Sequence, residues 1–294
     1  MIITMLCVLL GVAYMTLLER KVLSYLQIRK GPNKVGLMGL LQPIADAMKL
    51  LLKELVLPTN SNMYIYFLLP VGGLAISLAL WHIMPSWYAM HYVIMSLLLF
   101  VCISSMNVYI VMGCGWASNS TYAFLGGMRA SAQTISYEIS LIFILLVPLL
   151  FTPTVCTVDL LNNYPMLILF FPLFVMWVTT CLAETNRAPF DFAEGESELV
   201  SGFNVEYGGG FFALLFLAEY TSIMLLSALT CLCFMPTLSM SLYVIGSIIM
   251  IMFFLFIRGI YPRHRYDFLM MMCWKSLLPI SLGFLSLIGL ILLM

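Results

Sequence analysis

GFFALLFLAEYTSIMLLSALTCLCFM, residues 210–235, is an apolar run interrupted by one charged side chain, Glu219. A spanning helix needs about 20 mostly apolar residues, and only a helix satisfies its own backbone N–H and C=O groups where lipid offers them no partner. An acid at helix centre costs about 3 kcal/mol on insertion scales, while each strong apolar residue returns about 0.3–0.6, so this stretch still inserts. A neutral residue would insert better. Glu219 is therefore a candidate working residue, with Tyr220, Thr221 and Ser222 behind it as further hydrogen-bonding groups.

The rest of the chain repeats the theme. Of its 294 residues 63% are hydrophobic and 9% charged, whereas a soluble domain carries about a quarter charged residues. Eight apolar stretches are long enough to span, at about 2–20, 64–84, 91–112, 134–155, 165–183, 210–235, 238–257 and 276–294. The expected fold is all-α and polytopic, residues 1–294 forming a single integral membrane domain without repeats. The N-terminal run lacks a basic leader and ends in Glu19, Arg20 and Lys21, which reads as a retained span and not a signal peptide. All 13 Lys and Arg fall in the first, third, fifth and seventh connections or at the adjoining helix ends. The positive-inside rule places those connections on the side where the chain is made and both termini on the other. Net charge is zero, so nothing favours nucleic acid as a partner. The 8 cysteines sit mostly in apolar runs, without C-x-x-C or Cys/His spacing, and read as core thiols; a redox centre then belongs on a partner.

Three connections are informative. In the first, Arg29, Lys30, Gly31 and Pro32 stop a helix. Leu40, Leu41, Ile44, Ala45, Met48, Leu51, Leu52 and Leu55 then recur at helical spacing opposite Asp46, Lys49 and Lys53. This predicts an amphipathic helix at about 38–55 lying in the membrane interface, either a plain anchor or one lip of an opening. The third connection, 113–133, is rich in Gly, Ser and Asn and reads as a structural loop, leaving Glu138 about a turn inside the next span. An acid there faces a bundle interior or watery cavity, or else touches headgroups at the boundary. The fifth connection, at about 184–210, gathers Glu184, Asp191, Glu194, Glu196, Glu198 and Glu206 around Arg187. Crowded carboxylates beside a low-dielectric slab share protons, so this stretch suits proton handling; the plainer reading is a solvated acidic loop.

Four blocks are more specific than any general motif: LLERKVLSYLQIRKGPNKVGLMGLLQPIADAMKLLLKE (17–54), GWASNSTYAFLGGMRASAQTISYE (115–138), AETNRAPFDFAEGESELVSGFNVEY (183–207) and RGIYPRHRYDFLMMMCWKSLLP (258–279). Together they resemble the chain 1 family of mitochondrial NADH:ubiquinone oxidoreductase, respiratory complex I. The resemblance covers essentially the whole chain. It implies the mitochondrial inner membrane, with the odd connections in the matrix and both termini in the intermembrane space. It implies ubiquinone as substrate and membrane lipids as neighbours. Iron-sulfur clusters and FMN would lie on partner subunits, and no cofactor on this chain. The partners implied are quinone-site subunits of the peripheral arm and antiporter-like membrane subunits.

The resemblance further implies a quinone tunnel entered between the first span, the amphipathic helix and the sixth and seventh spans, with Arg20, Arg29, Asp46, Phe203, Arg258 and Arg263 along it. It assigns Glu19, Glu138, Glu184, Asp191, Glu194, Glu196, Glu198 and Glu219 to a proton path toward the antiporter-like subunits. Two other readings fit a multi-span chain with midplane acids: a proton-coupled secondary transporter, and the equivalent subunit of a membrane-bound hydrogenase. The first is disfavoured by the absence of an inverted repeat.

Overall fold

A computed structural model describes residues 2–86, 93–152, 154–162, 166–191, 202–235, 237 and 239–293. The described residues form helices and connecting turns, with no strand. The helices are α1 (Ile2–Leu26), α2 (Gln42–Leu52), α3 (Met63–Trp81), α4 (Ser96–Ala117), α5 (Thr121–Leu150), α6 (Phe171–Glu184), α7 (Gly209–Phe234) and α8 (Met240–Ile260), then α9 (Tyr266–Met272) and α10 (Leu278–Leu293) joined by a π-helical turn, Cys273–Leu277. Seven helical stretches among the described residues are long and apolar enough to cross a membrane, and α6 is a shorter apolar helix at the fifth place. The all-α, polytopic expectation holds.

α7 is the axis of the bundle, packed on α1, α2, α3 and α8, while α5 carries α4, α6 and α10 on its other side. One buried cluster centres on Trp177, Leu229 and Phe234, and a smaller one on Tyr66, Phe203 and Tyr207. Outward-facing apolar side chains stay uncovered, for example Tyr109 at 70%, Ile245 at 55% and Leu290 at 60% exposure. Water would penalise such a surface; hydrocarbon does not.

Several boundaries differ from the sequence expectation. α1 runs past Glu19, Arg20 and Lys21 to Leu26, because Glu19 is paired inside the bundle and no helix breaker precedes Gly31. The amphipathic helix is shorter than 38–55. Gly36 and Gly39 adopt positive φ and fold the chain into a tight turn before Gln42, and at Gly39 a Cβ would lie 2.1 Å from the Pro32 carbonyl oxygen. The helix stops where Lys53 turns extended, ahead of Pro58. Its apolar residues Ile44, Met48, Leu51 and Leu52, and Leu41 just ahead of it, are exposed, as an interfacial helix requires. The fifth span starts afresh at Phe171 after a one-turn helix, Met166–Leu169, since Pro172 lacks the N–H and clashes with the preceding turn.

The loop expected at 113–133 is the largest correction. α4 continues to Ala117, α5 begins at Thr121, and only a tight turn separates them. The glycines are packing surfaces. A Cβ on Gly115 would stand 2.7 Å from the Ala123 carbonyl oxygen, and one on Gly126 would stand 2.8 Å from the Gly202 carbonyl carbon. Gly126→Ala should therefore push Gly202–Asn204 off α5 and lower the melting temperature, at about 1–3 kcal/mol for an overpacked contact. Gly283→Ala, with nothing within 4 Å of its Cβ, should leave the melt unchanged and serves as control.

Candidate functional site

Among the described residues, polar side chains gather in two regions within the apolar bundle. The larger is a cavity of about 420 Å³ bounded by α1, α2, α7 and α8. Its wall is apolar at Val12, Leu23, Leu50, Phe212 and Phe216, and its polar groups are Thr16, Glu19, Arg20, Asp46, Tyr220 and Arg258. Glu19, 3% exposed, is the centre of charge. Arg187 Nη1 donates to Glu19 Oε1 at 2.7 Å, Tyr220 Oη donates to Glu19 Oε2 at 2.6 Å, and Arg258 pairs with Oε1 as well. The Arg187 guanidinium also lies over the Tyr220 ring, 4.3 Å from its centroid. One buried anion thus holds two cations and a phenol, leaving net positive charge at the polar end.

At the rim, Arg20 Nη2 lies 2.5 Å from Asp46 Oδ2, and Gln42 donates to Asp46 Oδ1 at 2.9 Å. Both ion-pair side chains are about two-fifths exposed, and exposed pairs contribute about 0.2–1 kcal/mol. Asp46→Asn should accordingly leave the melting temperature nearly unchanged while freeing Arg20, a result read in the same melting assay.

The second region is a row of acids. A small cavity of about 40 Å³ is lined by Glu138, Glu184, Ser77, Ser104, Asn107 and Ser222. A second, also about 40 Å³, is lined by Glu184, Glu219, Asn107, Asn186, Phe203 and Ser222. Glu184, Asn107 and Ser222 border both, so the order in space is Glu138, Glu184, Glu219. Each cavity exceeds the roughly 10–15 Å³ that one ordered water needs. Glu138 Oε1 and Glu184 Oε2 are buried and have no hydrogen-bond partner among the described residues. α7 presents Glu219 and Ser222, one turn apart, on one face. α6 ends on Glu184, and α5 carries Glu138 well inside its length.

Beside this row, Tyr207 stacks on Tyr66, ring centroids 4.2 Å apart, and the Tyr66 hydroxyl donates to the Glu206 carbonyl at 2.8 Å. Burial, with Cys114 close by, raises the Tyr207 hydroxyl well above the ordinary phenol range, so it stays protonated.

The structure brings Glu19, Arg20, Asp46 and Arg258 to one cavity. Phe203 lies elsewhere, on the Glu184 and Glu219 cavity, because Gly202–Asn204 packs against α5. Arg263 is also separate, pairing with Asp191 at 3.0 Å on the surface of the bundle. Neither it nor Asp191 lines any of these cavities. Arg29 is exposed in the turn after α1. Glu194, Glu196 and Glu198 lie outside the described residues. Sequence reasoning missed Arg187 as the partner of Glu19, although it is the one cation in the acidic stretch. It also missed Asn107, whose signal was a lone amide within the third span.

A family described as NADH dehydrogenase matches residues 1–289. The chain is 52% identical over 288 residues to NADH-ubiquinone oxidoreductase chain 1 of Aedes aegypti, spanning 97% of this chain and 92% of that one. It is 49% identical over 290 residues to the same-named protein of Patiria pectinifera, spanning 95% and 89%. To that of Salmo salar it is 49% identical over 287 residues, spanning 94% and 89%.

Proposed function

Because this chain belongs to the NADH-ubiquinone oxidoreductase chain 1 family, membrane subunits of respiratory complex I, we propose that its larger cavity admits ubiquinone and that its row of acids relays protons. The observation that carries the reading is the cavity of about 420 Å³ with an apolar wall and the Glu19 cluster at its polar end. An isoprenoid tail needs the wall; a carbonyl-bearing headgroup, which gains two electrons and two protons on reduction, needs donors and cations. Arg258 and Arg20, each with several guanidinium N–H groups, supply them. The amphipathic α2, its apolar side chains open to lipid, forms one edge of the entrance from the bilayer.

Electrons reach this quinone from iron-sulfur clusters on peripheral-arm partners, upstream of which FMN takes them from NADH. Antiporter-like membrane subunits receive the protons or the charge displacement that the acids pass on. The chain acts as one integral domain of the mitochondrial inner membrane, with its basic connections in the matrix and both termini in the intermembrane space. Glu138, Glu184 and Glu219 form the proton path, and Glu19 links it to the quinone cavity through Arg187, which follows Glu184 by less than one helical turn.

Ala213→Trp tests the quinone assignment by placing an indole in the cavity wall. In the assembled complex the KM for a short-chain ubiquinone should rise several-fold, with NADH oxidation by a water-soluble acceptor unchanged. An unchanged KM would remove the cavity from the quinone path.

A further inference from the structure

The turn after α6 is held from inside by one buried amide. Gln133, on α5, is 0% exposed. Its Nε2 donates to the Ala183 carbonyl at 2.9 Å and to the Phe190 carbonyl at 3.0 Å. Two buried carbonyls converging on one atom demand a neutral group with two hydrogens to give, and a primary amide supplies it; the same fact fixes which end of the side chain is nitrogen. Methionine would take this donor from both carbonyls, leaving the Ala183 oxygen only its backbone partner, the Asn186 N–H at 3.3 Å. A carboxylic acid could donate once when neutral and not at all when ionised.

Those bonds join the residue before Glu184 to the one before Asp191 and so close the whole turn. Within it, Asn186 takes φ 48°, a left-handed conformation that Asn tolerates. Arg187 N donates to Leu182 O at 3.3 Å, and Phe190 N donates to Arg187 O at 2.8 Å. From outside, Arg263 pairs with Asp191, and the His264 ring stacks on Phe190 at 5.8 Å. The closed turn has two working ends. Arg187 points to Glu19 in the large cavity, and Glu184 points to the small cavities beside Glu138 and Glu219. Thr185 borders one of these small cavities and the crevice shared by Arg187 and Arg258.

We propose that Gln133 is a positioning residue for quinone reduction: by closing the 183–190 turn it sets the Arg187 guanidinium on Glu19 and, in the same act, the Glu184 carboxyl between Glu138 and Glu219. It touches neither cavity, so its effect passes through Arg187 and Glu184. The inference rests on the assignment of the large cavity to quinone.

The test uses the assembled complex in its membrane, a short-chain ubiquinone as probe, and a water-soluble acceptor as the check on NADH oxidation. Gln133→Met should raise the quinone KM about tenfold, the order expected from losing one or two buried hydrogen bonds, with the acceptor rate unchanged. Gln133→Glu adds a pH signature. A buried acid facing two carbonyls is neutral at low pH and keeps one bond, so its quinone KM should approach the unaltered protein's there and climb toward that of Gln133→Met as pH rises.

Wild-type KM and pH profile in Gln133→Met, with a raised KM in Ala213→Trp, would overturn the proposal while the quinone cavity stands. Unchanged KM in both would remove the cavity assignment and the proposal together. If Gln133→Met does not assemble, Gln133→Glu decides, and a KM tracking the unaltered protein at every pH sinks the idea.

Discussion

Glu19→Ala is expected to abolish most quinone reduction and to lower the melting temperature of the complex. Glu19 is nearly fully buried and accepts from Arg187, Arg258 and Tyr220. Removing one partner of a buried ion pair costs about 3–5 kcal/mol, because the remaining charge stays desolvated without compensation. Arg187 is the more buried cation, at 15% side-chain exposure, and Arg258, at 36%, can turn partly toward water; the lower end of that range is expected. Glu19→Gln separates shape from charge. Its one oxygen still accepts from the guanidiniums at the Oε1 position while its amide N–H can donate to the Tyr220 oxygen, so the fold should survive while two cations repel across the polar end of the cavity. The check is a thermal melt beside quinone KM and kcat in sealed membranes. Wild-type values for Glu19→Ala would show that the cluster is neither structural nor part of the quinone site.

The second large effect concerns Glu184, which alone among the described acids borders both small cavities. Glu184→Gln preserves volume, and the two small cavities that Glu184 borders leave room for an amide. The complex should assemble and oxidise NADH with a water-soluble acceptor at the normal rate. Proton uptake or release coupled to quinone reduction should fall by about 10²-fold or more, the range for losing one positioned proton-transfer group. Glu138→Gln and Glu219→Gln should also impair pumping, since each stands at one end of the row. Dye-reported acidification in sealed vesicles measures all three. Normal pumping in Glu138→Gln and Glu219→Gln would remove those two from the path, and normal pumping in Glu184→Gln would break the row at its middle.

Much of the fold was legible because the bilayer simplifies the code. A run such as residues 210–235 admits one answer, a helix, since lipid leaves no other way to satisfy the backbone. Boundaries were less legible where one residue type serves two ends. Gly115, Gly126 and Gly127 read as loop formers by local propensity, but act as contact surfaces where helix backbones meet. Nothing in their immediate neighbours distinguishes the two uses; the distinguishing atoms belong to Val111, Ala123, Gly202 and Phe203, and to Gly115 and Gly127 facing each other. Pro172 had the opposite character: its missing N–H is a local fact, yet its place inside an apolar run hid the break it makes.

At the site, residue type announced the candidates and tertiary contact sorted them. Glu219 and Glu138 stood out because an ionisable group in hydrocarbon needs a reason. Composition and spacing alone established the helical, membrane-crossing architecture, the charge asymmetry of the connections and the acids worth examining. Only the tertiary structure decided that Glu19 meets Arg187 across 168 positions of chain, that Phe203 faces Glu219 and not the large cavity, and that Gln133 closes the turn joining the two regions. The division has a physical cause. Insertion depends on side-chain transfer energies summed along a short segment, which the sequence contains outright. Ion pairs and buried hydrogen bonds depend on distances of about 3 Å between atoms remote in the chain, which exist only once the helices have packed.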